Sequence, residues 1–364
     1  MITLSGLPQQ MKTEKWALKR ELGRPVSIPM QNTRAFSATC QLAESLGSRQ
    51  AVRHAWDAIE LSPDMILGGS AVYIPYRIQA AFLEAAARAT GIEHFGALCG
   101  SYLSYTQLDS YSRYVLAAPT LGQAFVRGTR ALRYIISNCA VHVSQRGDYV
   151  CLQFDNNLKG VVGARHVDEA MPLLLADLIR RFAGREWIPE WIELPLPKWT
   201  PTGAIEDIYE TEVRLGAKLP GIVLHKSLLA LENPMMDQTG GLDLLRDVRD
   251  MVRRPAPASV RDMTRNTIEL QLRNADATIE SVAETLGMGV RTLQRQLLSE
   301  STNFQECLGE IRTARASDML RETRLPVAQI ASQLGYQETN AFRRAFRRWT
   351  GVSPNQFRKQ AFAQ

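Results

Sequence analysis

Cysteine is scarce and scattered. Five occur, Cys40, Cys99, Cys139, Cys151 and Cys307, an odd number with no C-x-x-C pair. That pattern argues against a disulfide framework and against a thiolate zinc site. The five histidines, His54, His94, His142, His166 and His225, show no ligand spacing either, so no metal and no other cofactor is expected. Apolar runs such as Ala170–Ala176 stop far short of the roughly 20 residues a membrane helix needs. The opening M-I-T-L-S-G-L-P-Q-Q-M-K-T-E-K lacks the apolar core of a signal peptide. No Gly-rich phosphate loop follows a strand, and S-Y-L-S-Y at 101–105 is no nucleophile elbow, so no catalytic residue is assigned. Solenoid periods and low-complexity tracts are missing as well. Together these absences point to a soluble, cytoplasmic, reduced protein that is not an enzyme and does not meet a membrane.

What is present begins with length. At 364 residues and 45% hydrophobic content, the chain suits two domains, each with a buried core. The net charge of +6 is unevenly placed. From Pro255 onward there are 15 Lys and Arg against 11 Asp and Glu, leaving 28 against 26 for the first 254 residues. Under a third of the chain holds most of the excess, which favours nucleic acid as its partner.

Four segments follow from the pattern: a loosely ordered terminus at 1–26, an α+β domain at 27–240, a short helix and Pro-rich linker at 241–258, and an all-α domain at 259–364. Helical spacing of apolar residues predicts helices over about Thr33–Leu46, Ala51–Ile59 and Tyr76–Thr90, the last with Pro75 in its first turn. Thr120 is placed to cap a helix running to about Ile136. Alternation from Cys139 to Ser144 and from Val150 to Asp155, around Arg146-Gly147-Asp148, predicts a β-hairpin. A helix with an apolar face follows at about His166–Phe182. Strands are then expected at Trp191–Leu194 and Gly221–Leu224, with a helical piece near Ala204–Glu210 between them. Leu242–Val252 reads as an amphipathic helix, serving either to pack on the first domain or to contact a second copy in a homodimer. Pro255 and Pro257 stiffen the linker that follows.

The stretch from Thr278 to Phe357 repeats itself. T-I-E-S-V-A-E-T-L-G-M-G-V-R-T-L-Q-R-Q-L spans 278–297, and V-A-Q-I-A-S-Q-L-G-Y-Q-E-T-N-A-F-R-R-A-F spans 327–346. Ala283 matches Ala331 and Gly287 matches Gly335. Leu293, Arg295 and Leu297 then match Phe342, Arg344 and Phe346. Each copy reads as a helix-turn-helix. A small alanine permits a close crossing, and a glycine takes the positive φ of the turn. In such a motif the early residues of the second helix face base edges. Those residues are Arg291, Thr292, Gln294 and Arg295 in the first copy. In the second they are Glu338, Thr339, Asn340, Arg343 and Arg344, with Arg347 and Arg348 one turn on. Arginine suits guanine and glutamine suits adenine. Base readout falls to Thr339, Asn340 and Arg344, phosphate contact to Arg343, Arg347 and Arg348. A bridging helix, about Phe304–Glu322, would set two adjacent major grooves of double-stranded DNA as the target. The bland alternative is a pair of packed helical hairpins with solvated basic faces.

The stretches G-M-x-x-R-T-L-Q-R-x-L (287–297) and G-Y-x-x-x-x-A-F-x-R-A-F-R-R-W-T-G-V-S-P-x-x-F-R (335–358) resemble the DNA-binding domain of AraC/XylS-type transcription regulators over about 100 residues. The resemblance implies seven helices, base contacts from both recognition helices, and activation through RNA polymerase. Gly289 departs from it, standing where the family commonly has serine as helix cap. Further upstream, I-P-M-Q-N-T-R-A, H-F-G-A-L-C-G, A-P-T-L-G-Q-A-F and W-I-P-E-W-I-E-L-P-L-P resemble the arabinose-binding-type domain of the ornithine-utilisation regulator group. That likeness implies a small-molecule effector, an amino acid or related metabolite. Arg77 could pair a carboxylate effector or be a solvated helix residue, and Tyr102 and Tyr105 could line a cavity or pack. His142 is a further pocket candidate or a solvated histidine. Two other functional classes carry the same block: an enzyme fused to a DNA-targeting module, and an architectural DNA binder without an effector.

Overall fold

The computed structural model describes residues 28–47, 49–59, 73–235, 255–272 and 277–362, with single positions at 63, 66, 246, 249 and 252. The stretch 1–26 lies outside the described residues, as do Arg253, Arg254 and all of Leu242–Val252 except Arg246, Arg249 and Val252. The chain forms two compact units, Met1–Ala256 and Pro257–Gln364. The first is mixed α and β and the second is helical, as the sequence pattern predicts.

In the first unit, β1 (Met30–Asn32) pairs antiparallel with β2 (Tyr73–Pro75). Helices α1 (Thr33–Leu46), α2 (Arg49–Asp57), α3 (Tyr76–Thr90) and α4 (Phe95–Tyr102) follow in chain order around that pair. Pro75 is the cap of α3 and the last residue of β2, rather than part of the helix. After α5 (Ser110–Leu116), Thr120 caps α6 (Leu121–Ala131) by accepting from the Gln123 amide. The chain then tightens into a 3-10 turn at Leu132–Tyr134, five residues short of the helix end expected at Ile136.

The hairpin pairs β3 (Ala140–Arg146) with β4 (Tyr149–Asp155). Arg146 is paired with Tyr149, so the loop is only Gly147-Asp148. Helix α7 (Ala164–Ala183) comes next, followed by β5 (Trp191–Leu194), α8 (Gly203–Tyr209), β6 (Val213–Leu215) and β7 (Gly221–His225). Sheet order is β3-β4-β7-β5-β6, antiparallel except for the β5–β6 pair. Val150, Leu152, Ile192, Leu194, Ile222 and Leu224 point to one face and meet Leu173, Ala176 and Ile179 of α7 in the main core. Alternation puts Tyr149, Gln153, Trp191, Glu193 and Arg214 on the other face.

Helices α4 and α7 cross closely because α4 carries glycine at four-residue spacing. A Cβ at Gly96 would lie 2.1 Å from the His166 carbonyl oxygen, and one at Gly100 would lie 2.8 Å from the Ala170 backbone. Those two glycines hid α4 from a propensity reading, since glycine is a poor helix former.

The second unit contains seven helices among the described residues: α9 (Val260–Gln271), α10 (Ile279–Leu286), α11 (Val290–Ser299), α12 (Phe304–Glu322), α13 (Val327–Gln333), α14 (Thr339–Thr350) and α15 (Pro354–Ala361). Ser259, Thr278, Asn303 and Ser353 cap four of them with side-chain acceptors, each such cap stabilising by about 1 kcal/mol.

Candidate DNA interface and effector cavity

Each helix-turn-helix is held by its inner side. In the first, Val282, Ala283, Leu286, Leu293 and Leu297 are buried, and the turn passes through Gly287 at φ 71°. In the second, Ile330, Ala331, Leu334, Phe342 and Phe346 are buried with Ala316 and Leu320 of α12, and Gly335 turns at φ 76°. Helix α12 packs on α9 as well, so one stiff 19-residue rod joins the two motifs. At 1.5 Å per residue it spans roughly 28 Å.

With the inner residues anchored, the outer faces are fixed. Arg291, Gln294 and Arg295 are exposed on α11, and Thr292 is half-buried. On α14, Asn340, Arg343, Arg344, Arg347 and Arg348 are exposed, Thr339 is half-buried, and exposed Glu338 caps the helix without a side-chain bond. All eleven predicted DNA-facing residues thus lie on the two second helices or their caps. Gly289 caps α11 with no side-chain bond, and a Cβ there would meet nothing.

The arginines of this unit divide by employment. Arg261 and Arg265 both pair with Glu310. Arg312 and Arg321 lie over the Tyr336 and Phe357 rings at 4.8 and 5.1 Å, and Arg358 donates to the Leu325 carbonyl. By contrast, Arg291, Arg295, Arg344 and Arg347 have no ion pair or hydrogen bond among the described residues. Arg343 reaches only Asn340, at 3.4 Å, and Arg348 lies 6.0 Å from the Trp349 ring. Uncommitted guanidiniums gathered on two helix faces are suited to phosphate oxygens and guanine edges.

In the first unit a cavity of about 120 Å³ is walled by α1, α3, α7, β3, β4 and the segment from Leu103 to Tyr111. Tyr105 lines it. The other three pocket candidates do not. Arg77 stands between Tyr76 and Gln79, which do line it; one residue turns a helix by about 100°, and Arg77 has an interaction of its own. Tyr102 is 62% exposed at the end of α4, whereas the next residue, Leu103, faces in. His142 lies on the outer sheet face, 3.9 Å from Asp155, while Val141 lines the cavity.

Sequence reasoning missed a second buried cluster. The Glu169 carboxylate, fully buried on α7, meets His94 Nδ1 at 3.1 Å and His166 Nδ1 at 3.5 Å. His166 Nε2 reaches Glu84 of α3 at 3.4 Å. Burial by itself would raise the Glu169 carboxyl, but the two imidazoles outweigh it and hold it below the usual range. The hydrogen bond to Glu169 pushes His94 up, against the effect of burial. Beside them burial lifts the Asp168 carboxyl to about 7, although Asn156 donates to it. The signal in the sequence was a histidine and a carboxylate three apart on an otherwise apolar helix face.

All five thiols are buried. Burial pushes Cys99 and Cys151 up to about 12 and raises Cys40, Cys139 and Cys307 as well. A thiol held in its neutral form is a poor nucleophile.

A family model described as the arabinose-binding domain of AraC transcription regulator, N-terminal, matches residues 51–233, half of the chain. A helix-turn-helix domain model matches residues 282–360. The chain belongs to the AraC family of transcription regulators. Among curated relatives of this AraC-type regulator, the HTH-type transcriptional regulator VqsM of Pseudomonas aeruginosa is 40% identical over 81 residues, 22% of this chain and 25% of that protein. The ornithine utilization regulator of the same organism is also 40% identical over 81 residues, covering 22% and 24%. The AraC-type chain thus spans about a quarter of the length of these relatives. A solved structure, the transcriptional regulator CdpR from Pseudomonas aeruginosa, is 23% identical over 72% of this chain and 86% of its own, with a TM-score of 0.33.

Proposed function

We propose that this regulator binds one operator sequence-specifically, placing α11 and α14 in two adjacent major grooves. A small molecule held in the cavity of the first unit then controls transcription, as an activator working through RNA polymerase. The observation that carries the reading is the division of arginines: Arg261, Arg265, Arg312, Arg321 and Arg358 are engaged inside the second unit, whereas Arg291, Arg295, Arg344 and Arg347 on the two recognition faces have no ion pair or hydrogen bond among the described residues. The span of α12, roughly 28 Å, is of the order of one DNA turn, about 34 Å. Arg295 and Arg344 read bases in this scheme, while Arg343, Arg347 and Arg348 hold phosphates. The cavity, with its apolar walls, favours an effector-controlled regulator over an architectural binder. The buried, neutral thiols disfavour an alkyl-transferring enzyme joined to a DNA-targeting module.

Footprinting tests the scheme directly, and protection of a site two major grooves long is the expected result. Binding to random and selected DNA with equal affinity would sink it. Arg295→Ala or Arg344→Ala is expected to weaken the operator complex by about 1–3 kcal/mol and relax base preference. Arg347→Ala should weaken all sequences alike and lower the salt slope by about one. Competition titrations against operator and random duplexes separate these outcomes. Equal losses on both duplexes for all three variants would remove the assigned roles.

A further inference from the structure

The chemistry of the cavity wall limits what it can hold. No Asp, Glu, Lys, Arg or His lies among the described residues that line it. Its surface is mostly apolar, supplied by Leu103, Leu132, Val141, Phe154, Met171 and Leu174. Most polar groups around it are already engaged. Tyr111 donates to the Gly128 carbonyl at 3.1 Å. Ser104 and Gln107 are occupied in a capping box, and the Gln79 Nε2 donates to Thr39 Oγ1 at 3.3 Å.

Two polar atoms of the wall are both fully buried and unsatisfied. Gln31 and Gln79 both line the cavity and are 4% and 8% exposed. The Gln31 Nε2 and the Gln79 Oε1 have no hydrogen-bond partner. A buried donor and a buried acceptor left over in one apolar chamber are an uncommon arrangement, since such groups are normally satisfied. A hydroxyl has the complementary chemistry, since it can accept from the first and donate to the second.

We propose that the effector is an uncharged, mainly apolar molecule of about one ring in size, bearing a hydroxyl that Gln31 and Gln79 bind. The inference rests on the reading of the first unit as an effector domain. It excludes a free amino acid, the class the family resemblance implied. Its carboxylate and ammonium would both lose water here with no opposite charge to meet them. The volume agrees: an apolar cavity of about 150 Å³ accommodates benzene. Tyr105 and Tyr111, with ring centroids 6.0 Å apart, offer aromatic faces to such a body, and burial keeps both phenols neutral.

The test is calorimetric titration of the full-length protein with four compounds that share one ring: benzyl alcohol, toluene, benzoate and L-phenylalanine. Benzyl alcohol is expected to bind saturably and at least about tenfold more tightly than toluene, benzoate or L-phenylalanine, about 1.4 kcal/mol. Gln79→Met keeps the side chain's length and removes its acceptor, so it should narrow the preference for benzyl alcohol over toluene, with Gln31 still donating to the hydroxyl, while ring binding persists. Leu174→Phe, which fills the chamber, should abolish binding of both, with an unchanged circular-dichroism spectrum showing that the fold is kept. Benzoate or L-phenylalanine binding as tightly as benzyl alcohol overturns the proposal. So does the absence of saturable binding by either neutral compound, or an unaltered preference in Gln79→Met. Operator affinity measured with each compound separates the two readings. A response to L-phenylalanine and not to benzyl alcohol defeats the neutral effector and leaves an effector-controlled regulator. Tight benzyl alcohol binding that leaves operator affinity unchanged supports the chemistry of the chamber and defeats control through it.

Discussion

Replacing Glu169 by alanine is expected to destabilise the first unit by about 3–5 kcal/mol. Its carboxylate is fully buried between His94 and His166. Removing it leaves His94 charged without a partner or forces the proton off, and either alternative costs more than the pairing contributed. The same helix walls the cavity proposed to hold the effector, with Val167, Ala170, Met171 and Leu174, so binding there should weaken in step. Differential scanning calorimetry would show the transition of the first unit falling by roughly 10 °C, with that of the second unit unmoved. A fall of only one or two degrees would mean that the cluster is incidental.

Proton linkage gives the cluster a distinct pH signature. Glu169 has a depressed pKa, so its contribution is complete above 4.5, the unperturbed value, and is lost as pH falls through the folded value. His94 has a raised pKa, so its contribution is complete below 6.5 and is lost as pH rises through the folded value. Asp168 is raised from 3.8 to about 7, so the fold favours its protonated form and stability declines across that interval. The three together place the greatest stability of the first unit between about pH 3.8 and 4.5, where the Glu169 gain meets the Asp168 loss, with losses in both directions. In Glu169→Ala the acid limb and the His94 part of the alkaline limb should vanish.

The second large effect lies in the other unit. Phe346→Ala is expected to cost about 3–5 kcal/mol. Its ring is 1% exposed and sits 5.7 Å from Phe342 and 5.5 Å from Phe357, so it ties α14 to α15 and to the α12 core. A domain of this size has about 5–15 kcal/mol in all. The loss would therefore consume much of it and lower the transition by roughly 15 °C or more. Operator binding should fail through disorder of α14, although no DNA-facing group has been touched. Phe346→Leu keeps most of the volume and should cost about 1.5 kcal/mol or less. Arg347→Ala, one position along, should leave stability within about 0.5 kcal/mol while weakening DNA binding. Adjacent positions with opposite signatures are what an anchored inner face and a free outer face require.

The second unit was legible because its evidence is local and doubled. Helical period, cap residues and turn glycine sit within twenty residues of one another, and the repeat supplies them twice. The bounds of α12 and α1 were expected at Phe304–Glu322 and Thr33–Leu46, where the structure has them. The first unit gave less. Strands β1, β2 and β6 have three residues each, too few for alternation to declare itself. The cavity was the least visible feature, because its wall is gathered from segments more than a hundred residues apart. Three of the four expected pocket residues stand one position away from its wall: Arg77 beside Tyr76, Tyr102 beside Leu103, His142 beside Val141. Polar side chains attract attention in a sequence, yet here the inward neighbour belongs to the apolar alternation. The two glutamines that matter to the proposal carry no charge and drew none.

The buried thiols have a practical consequence. A reagent that alkylates cysteine can reach them only when the protein opens, since each is shielded and held in its unreactive form. Labelling under native conditions therefore counts openings and not surface collisions. Cys40, Cys99, Cys139 and Cys151 time the excursions of the first unit and Cys307 those of the second. The chain thus carries a built-in clock for each half, readable by mass, against which the slowing caused by an effector or by DNA can be timed.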